Sequence, residues 1–241
     1  MPAASAPATP ITAPDVEPIN HQQPGPWGRV WGRCFAALYD PLFWRTERRG
    51  NAARRAHLIE QAEGRVVELG AGTGLNLAHY PADLELVLTE PYEPMARRLE
   101  ERLSSSGRIA EVIRAPAEAL PLVDDYADTV VSTLVLCTVE DLYAALAEVR
   151  RVLRPGGRLL FIEHVAAEEG SRLHNWQRRA HGFWHAFACG CNADRRTADA
   201  IRAAGFEVEE LVEDELEFDI PLVRPLIWGS ARNPGPDKVS T

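Results

Sequence analysis

The chain has 241 residues, 46% of them hydrophobic, with 26 Lys and Arg against 35 Asp and Glu for a formal net charge of -9. That length can bury one substantial core and does not demand two. The acidic balance argues against duplex nucleic acid as a partner, because phosphate contacts need clustered Lys and Arg.

Residues 1–26, "MPAASAPATPITAPDVEPINHQQPGP", are rich in Pro and Ala with almost no large apolar side chains, the composition of a flexible tail. They lack the charged start and continuous apolar segment of an export signal, and no later run reaches the roughly 18 apolar residues of a membrane span. A cytoplasmic setting is therefore expected. Residues 27–63 place aromatic and apolar side chains between arginines, interrupted at Gly32 and Pro41. They read as a helical cap of two or three short helices lying over a pocket. Such an arginine-rich amphipathic stretch also suits peripheral contact with a membrane surface.

From residue 64 strand and helix patterns alternate. "RVVELG" and "LELVLTE" are short apolar runs ending in glycine or acid, "EPMARRLEERLSSS" has helical spacing, and "AEVIRAP" is strand-like. "ADTVVSTLVLC" is a β-branched run, "LYAALAEVRRVL" is helical, and "PGGRLLFIEHV" reads as a turn followed by a buried strand. This alternation predicts an α/β fold, a mostly parallel sheet with helices on both faces. "SRLHNWQRRAHGFWHAFACGC" is helical with widely placed aromatics, and "DRRTADAIRAAG" makes an amphipathic helix closed by Gly205. "FEVEELVEDELE" and "LVRPLIWGSARN" then follow as two strands with no helix between them, the pattern of an antiparallel hairpin. The expected organisation is a tail at 1–26, a cap at 27–63, a core at 64–233 and a flexible C-terminus at 234–241.

The four cysteines make no disulfide framework, and the C-x-C of Cys189 and Cys191 has no second pair at metal-ligand spacing. Cys34 and Cys137 sit among apolar neighbours and read as buried thiols. No H-E-x-x-H arrangement occurs, so no metal is expected.

The stretch "RVVELGAGTGLNLAHY" carries most of the information. Gly70, Gly72 and Gly74 follow a predicted strand and open into what reads as a helix. Glycine is costly in regular structure, so something must approach the backbone closely there. Glu90 ends the next strand, about 20 positions after Gly70, the spacing at which an acid takes both ribose hydroxyls of an adenosine. The loop is G-x-G-x-G, not the G-x-G-x-x-G of a dinucleotide fingerprint, and Glu68 stands two residues before it. A carboxylate beside a pyrophosphate repels it, whereas beside an ammonium or sulfonium it attracts. The charge sign thus favours S-adenosyl-L-methionine over a nicotinamide cofactor.

"VVELGAGTG", Glu90 in "LTEPYEPM", "APAEALPL", "DTVVSTLVLC" and "LRPGGRLLFIEH" resemble the class I S-adenosylmethionine-dependent methyltransferases over roughly residues 39–232. "CTVEDLYAALAEVRRVLRPGG", "EHVAAE", "NWQ", "FWHAF", "GCNADRR" and "LVRPLIWG" look like the methyltransferase-like 7 family of thiol S-methyltransferases. The resemblance implies a Rossmann-like core with a seven-stranded sheet, and a small-molecule methyl acceptor, here a hydrophobic thiol. Phospholipid N-methylation, an S-adenosylmethionine-binding regulator without chemistry, and an NAD(P)-dependent oxidoreductase compete with it. It also implies a donor site of Tyr39, Glu68, Gly70, Ala71, Gly72, Gly74, Asn76, Glu90, Pro91, Ala117, Glu118, Thr133 and Leu134. Pro116 stands where the family often has an Asp that contacts the adenine amino group.

Methyl transfer from a sulfonium is an in-line displacement, and a thiol, with a pKa of about 8.5, attacks as the thiolate. His164, which follows the buried strand "LLFIE", is the catalytic candidate, against the alternative of a histidine that caps backbone groups. Trp176, Trp184, His185 and Cys191 are the acceptor-side candidates, against ordinary helix packing. Arg195 and Arg224 read as solvated or structural, with the orientation of an acidic substrate as the alternative.

Overall fold

In the computed structural model, residues 47–216 and 220–235 are described, without the side chains of Arg48 and Arg49. The Pro/Ala tail, most of the expected cap with Tyr39, and the last residues of the chain lie outside the described residues. A short turn, Glu47–Asn51, kinked at Gly50, whose backbone is not helical, leads into helix α1 (Ala52–Ile59).

Seven strands follow: β1 (Arg65–Leu69), β2 (Glu85–Thr89), β3 (Ala110–Ile113), β4 (Ala127–Thr133), β5 (Leu153–His164), β6 (Glu207–Glu215) and β7 (Pro225–Arg232). They form one sheet in the order β3-β2-β1-β4-β5-β7-β6. The first five are parallel, whereas β7 runs antiparallel to both β5 and β6. The last two strands are thus the expected hairpin, folded back so that β7 inserts beside β5 and acid-rich β6 takes the edge.

Four further α-helices are described: α2 (Glu93–Ser106), α3 (Leu142–Val152), α4 (Arg172–Phe187) and α5 (Thr197–Ala203). The inner strands read as nearly continuous apolar runs because both sheet faces are covered. Along β5, Leu159 and Phe161 face the α3 and α5 side with Leu146, Val149 and Ile201, while Leu160 and Ile162 face α1 with Leu58 and Ile59. Helix α3 starts where the Asp141 carboxylate accepts the Tyr143 and Ala144 amides, an N-cap worth about 1 kcal/mol.

Two segments differ from expectation. The glycine stretch opens into a four-residue 3₁₀ turn, Leu75–Ala78, and not into an α-helix. Asn76 and Leu77 are drawn into the interior there, and Pro81 disfavours helical backbone at the residue before it. Strand β4 ends at Thr133, four residues before the apolar run does, because Leu134 takes a left-handed φ of 61°. A leucine in that region is strained, by about 1 kcal/mol or more.

Strands β1 and β4 are neighbours, yet the chain leaves β1 toward β2 and β3 on one side and reaches β4 and β5 on the other. This switch point opens a crevice at the carboxyl ends of the strands, where open α/β sheets bind ligands. Among the described residues no helix is long and apolar enough to cross a membrane.

Candidate functional site

Three glycines line the crevice for different reasons. A Cβ on Gly70 would meet the Val135 side chain at 2.8 Å, and one on Gly74 would meet Leu99 and Leu77 at 2.8 and 2.9 Å. The close approach predicted at those two positions is therefore made by the protein's own core. Gly72 is different: its φ is 59°, and the nearest atom to an added Cβ is the Gly70 carbonyl oxygen at 3.9 Å. Its outer side is open, so a ligand can reach the backbone there.

Glu90 stands at the carboxyl end of β2 and is buried. Its Oε2 accepts the Gly72 amide at 2.9 Å and its Oε1 the Tyr92 amide at 2.8 Å. Burial raises its pKa, opposed by those two amides. Each carboxylate oxygen keeps a second acceptor direction, so two adjacent hydroxyls suit it. Pro91 is exposed beside it, and Ala71 is buried with its amide on the Thr89 carbonyl at 2.8 Å. Ala117 packs into the core. Glu118 Oε1 accepts the Glu140 and Asp141 amides at 2.8 and 3.3 Å, which ties the segment after β3 to the start of α3.

Behind the loop lies a buried polar network. Glu68 is only 2% exposed; its Oε1 accepts from Asn76 Nδ2 and its Oε2 from the Tyr80 hydroxyl, both at 2.8 Å. Desolvation lifts its pKa to about 7, against the hydrogen bonds of Tyr80 and Asn76 and the charge of Arg55. Arg55, on α1, donates from Nη1 to Asn76 Oδ1 at 2.8 Å and Thr133 Oγ1 at 2.9 Å. Its other nitrogens reach Glu47 Oε1 at 3.2–3.3 Å. Asn76 Nδ2 also donates to Thr133 Oγ1 at 3.0 Å. Glu68, Asn76 and Thr133 thus form one unit with Arg55, Glu47 and Tyr80, three residues that sequence reasoning missed. One signal was available for Arg55: it occupies an apolar-stripe position with Leu58, Ile59 and Ala62 at helical spacing.

On the other side of the crevice, the turn after β4 is held from two directions. The buried Glu163 carboxylate accepts the Ser132 hydroxyl at 2.6 Å and the amides of Val135, Leu136 and Cys137 at 3.0–3.2 Å. The Arg195 guanidinium donates to the carbonyls of Leu136 and Val139, both at 2.7 Å, a structural role as expected. Leu134, half-buried at the start of this turn, gives its amide to the Ile162 carbonyl at 2.7 Å.

His164 ends β5 and is buried. Burial pushes its pKa down to about 4, against a hydrogen bond to the Val223 backbone, and among the described residues its Nδ1 has no hydrogen-bond partner. At pH 7 only about one molecule in a thousand carries the imidazolium. Since the folded value lies below the unfolded one, stability is complete above the ordinary value of 6.5 and falls as pH drops toward 4. The loss amounts to about 3 kcal/mol. In urea unfolding at pH 7 and pH 4.5, His164→Gln should show a pH slope shallower than the wild type by most of that amount.

Helix α4 brings only some of the acceptor-side candidates together. Trp184 packs on the cluster of Cys137, Cys191, Ala193 and Val223. Trp176, 46% exposed, stands on the outer surface, because the inward position beside it is taken by Gln177, whose side-chain amide donates to the Val165, Ala193 and Leu222 carbonyls. His185 is exposed, with Nδ1 at 3.1 Å from Asn192 Oδ1. Cys137 is buried, as its apolar neighbours predicted. Among the described residues no group of three or more His, Cys, Asp or Glu is placed to hold a metal ion.

The donor set fits a ligand with an adenosine and a positive charge. It combines an open glycine backbone, a buried acid at the end of β2, a second acid behind the loop, and a 3₁₀ turn too short to act as a phosphate-binding helix N-terminus.

Comparison with known proteins agrees with this geometry. Residues 67–161 match the family model described as a methyltransferase domain. The chain is 36% identical over 215 residues to the human thiol S-methyltransferase TMT1B, covering 85% of this chain and 84% of that protein. It is 29% identical over 136 residues to a phosphatidylethanolamine N-methyltransferase of Cereibacter sphaeroides, covering 56% of this chain and 66% of the relative. The crystal structure of an S-adenosylmethionine-dependent methyltransferase from Thermotoga maritima superposes with a TM-score of 0.62 at 23% identity, over 86% of this chain and 99% of the other.

Proposed function

Because this chain belongs to the class I S-adenosylmethionine-dependent methyltransferases, we propose that its methyl acceptor is a small hydrophobic thiol. The donor, when bound, supplies a methyl group on a cationic sulfur. Glu90 would hold the ribose hydroxyls, the open backbone at Gly72 would receive the methionine part, and the negative charge of Glu68 would favour the cation from behind the loop.

The observation that carries the thiol reading is the unpartnered Nδ1 of His164 in a neutral, buried imidazole. Such a nitrogen accepts a hydrogen bond from an S–H and can orient the sulfur. With a pKa near 4 it does not hold the proton at neutral pH, so the proton leaves to solvent as the thiolate forms. Turnover should therefore climb with pH, by up to about tenfold per unit below the thiol's pKa of about 8.5. A protonated amine would instead call for an uncommitted carboxylate. On this side Glu163 already accepts four hydrogen bonds.

Phospholipid N-methylation is the second reading, supported by the resemblance to the Cereibacter sphaeroides protein. A side-by-side screen separates the two. S-adenosylhomocysteine production is read with an alkyl thiol, a phenol, a small amine and phosphatidylethanolamine vesicles. The thiol should lead by at least about tenfold, on the scale of transition-state discrimination. A faster rate with the vesicles would replace the thiol reading by the phospholipid one. His164→Ala should lower thiol turnover by about tenfold, the worth of one orienting hydrogen bond. Donor affinity should change little, and unchanged turnover would remove His164 from the reaction.

A further inference from the structure

Among the described residues, Cys137 and Cys191 meet where the turn after β4 packs on the loop after α4. Cys137 is 0% exposed, Cys191 is 6% exposed, and the two pack in one cluster with Ala193 and Val223. The segments that carry them are fastened together: Asn192 donates its amide at 2.7 Å, and its side-chain Nδ2 at 3.2 Å, to the Cys137 carbonyl. Cys189 lies two residues away on the surface.

We propose that Cys137 and Cys191 are a dithiol modification site that small-molecule disulfides oxidise to an intramolecular disulfide. The two thiols are not equivalent. A hydrogen bond from the Cys137 thiol lowers the pKa of Cys191, while the same bond and burial raise that of Cys137. Cys191 is also the nearer to solvent, which makes it the attacking thiolate. Its sulfur attacks one sulfur of the disulfide RSSR, the S–S bond breaks, and one RSH leaves after protonation. Cys137 then loses its proton and attacks the Cys191 sulfur of the mixed disulfide, releasing the second RSH. The protein loses two electrons and two protons, and RSSR gains both. The oxidant is thus the oxidised form of the chemical class proposed as acceptor, and the bond formed ties the turn after β4 to the loop after α4. Slowing of methyl transfer by that bond rests on the thiol reading above; the bond itself does not.

The test uses the full chain with Cys34 and Cys189 replaced by serine, treated with oxidised glutathione under native conditions and digested without reductant. A Cys137–Cys191 linked peptide pair and loss of both titratable thiols, reversed by dithiothreitol, are expected. Adding Cys137→Ser should leave a glutathione mixed disulfide on Cys191. A mixed disulfide that persists on Cys191 with Cys137 present, or no reaction before unfolding, would overturn the proposal. Since the peptide map needs no acceptor, its failure is distinguishable from failure of the thiol reading. In the otherwise unmodified chain, a Cys189 or Cys34 cross-link in place of the Cys137–Cys191 pair would overturn it too.

Discussion

Glu90→Ala should weaken S-adenosylmethionine binding by at least about 100-fold, since two hydrogen bonds to a charged group, at about 1.5–3 kcal/mol each, are lost together. The carboxylate ends β2 with each oxygen already oriented by an amide, from Gly72 on one side and Tyr92 on the other. Those amides hold the carboxylate in one orientation before any ligand arrives. Glu90→Gln keeps one acceptor oxygen and should lose about tenfold, one charged hydrogen bond's worth. Titration calorimetry gives the affinities, and far-UV circular dichroism checks that the fold persists. Affinity at the wild-type level in both variants would remove the ribose role from Glu90.

Arg55→Met should lower the unfolding free energy by about 3 kcal/mol, because removing one member of a buried charged network leaves its partners unsatisfied. Arg55 is 4% exposed and joins Glu47, Asn76 and Thr133, and Asn76 joins Glu68. Arg55→Lys restores the charge but not the several directed donors, so it should recover only part of the loss. Urea unfolding at pH 7 measures both. A change within 0.5 kcal/mol, which is ordinary for a surface position, would mean that the network contributes no stability.

Much of the fold was legible because its elements obey short-range rules. The run of Glu93–Ser106 is a helix because its spacing is helical and Gly107 ends it in a left-handed turn. The two C-terminal strands could be read as a hairpin because no crossover helix separates them. Their place in the sheet could not: β7 lies between β5 and β6, an arrangement decided by pairing between residues such as Phe161 and Gly229, far apart in the chain.

The site divides in the same way. Gly72 and Glu90 follow from motif and spacing, and the structure puts them within hydrogen-bonding distance. That Gly70 and Gly74 serve packing could not be read from three evenly spaced glycines. Arg55 stood among neighbouring arginines, and only its place on the apolar stripe of Leu58, Ile59 and Ala62 marks it as the one that turns inward. The Cys137–Cys191 contact joins segments more than fifty residues apart and has no local signature.

Glu68 has one more consequence. A buried acid that titrates near neutrality is half-charged under ordinary conditions, and a cation settling on the loop in front of it would favour the ionised form. Uptake of the sulfonium and release of a hydrogen ion would then be two sides of one equilibrium, so that modest alkalinisation of the surroundings tightens the grip on the cofactor.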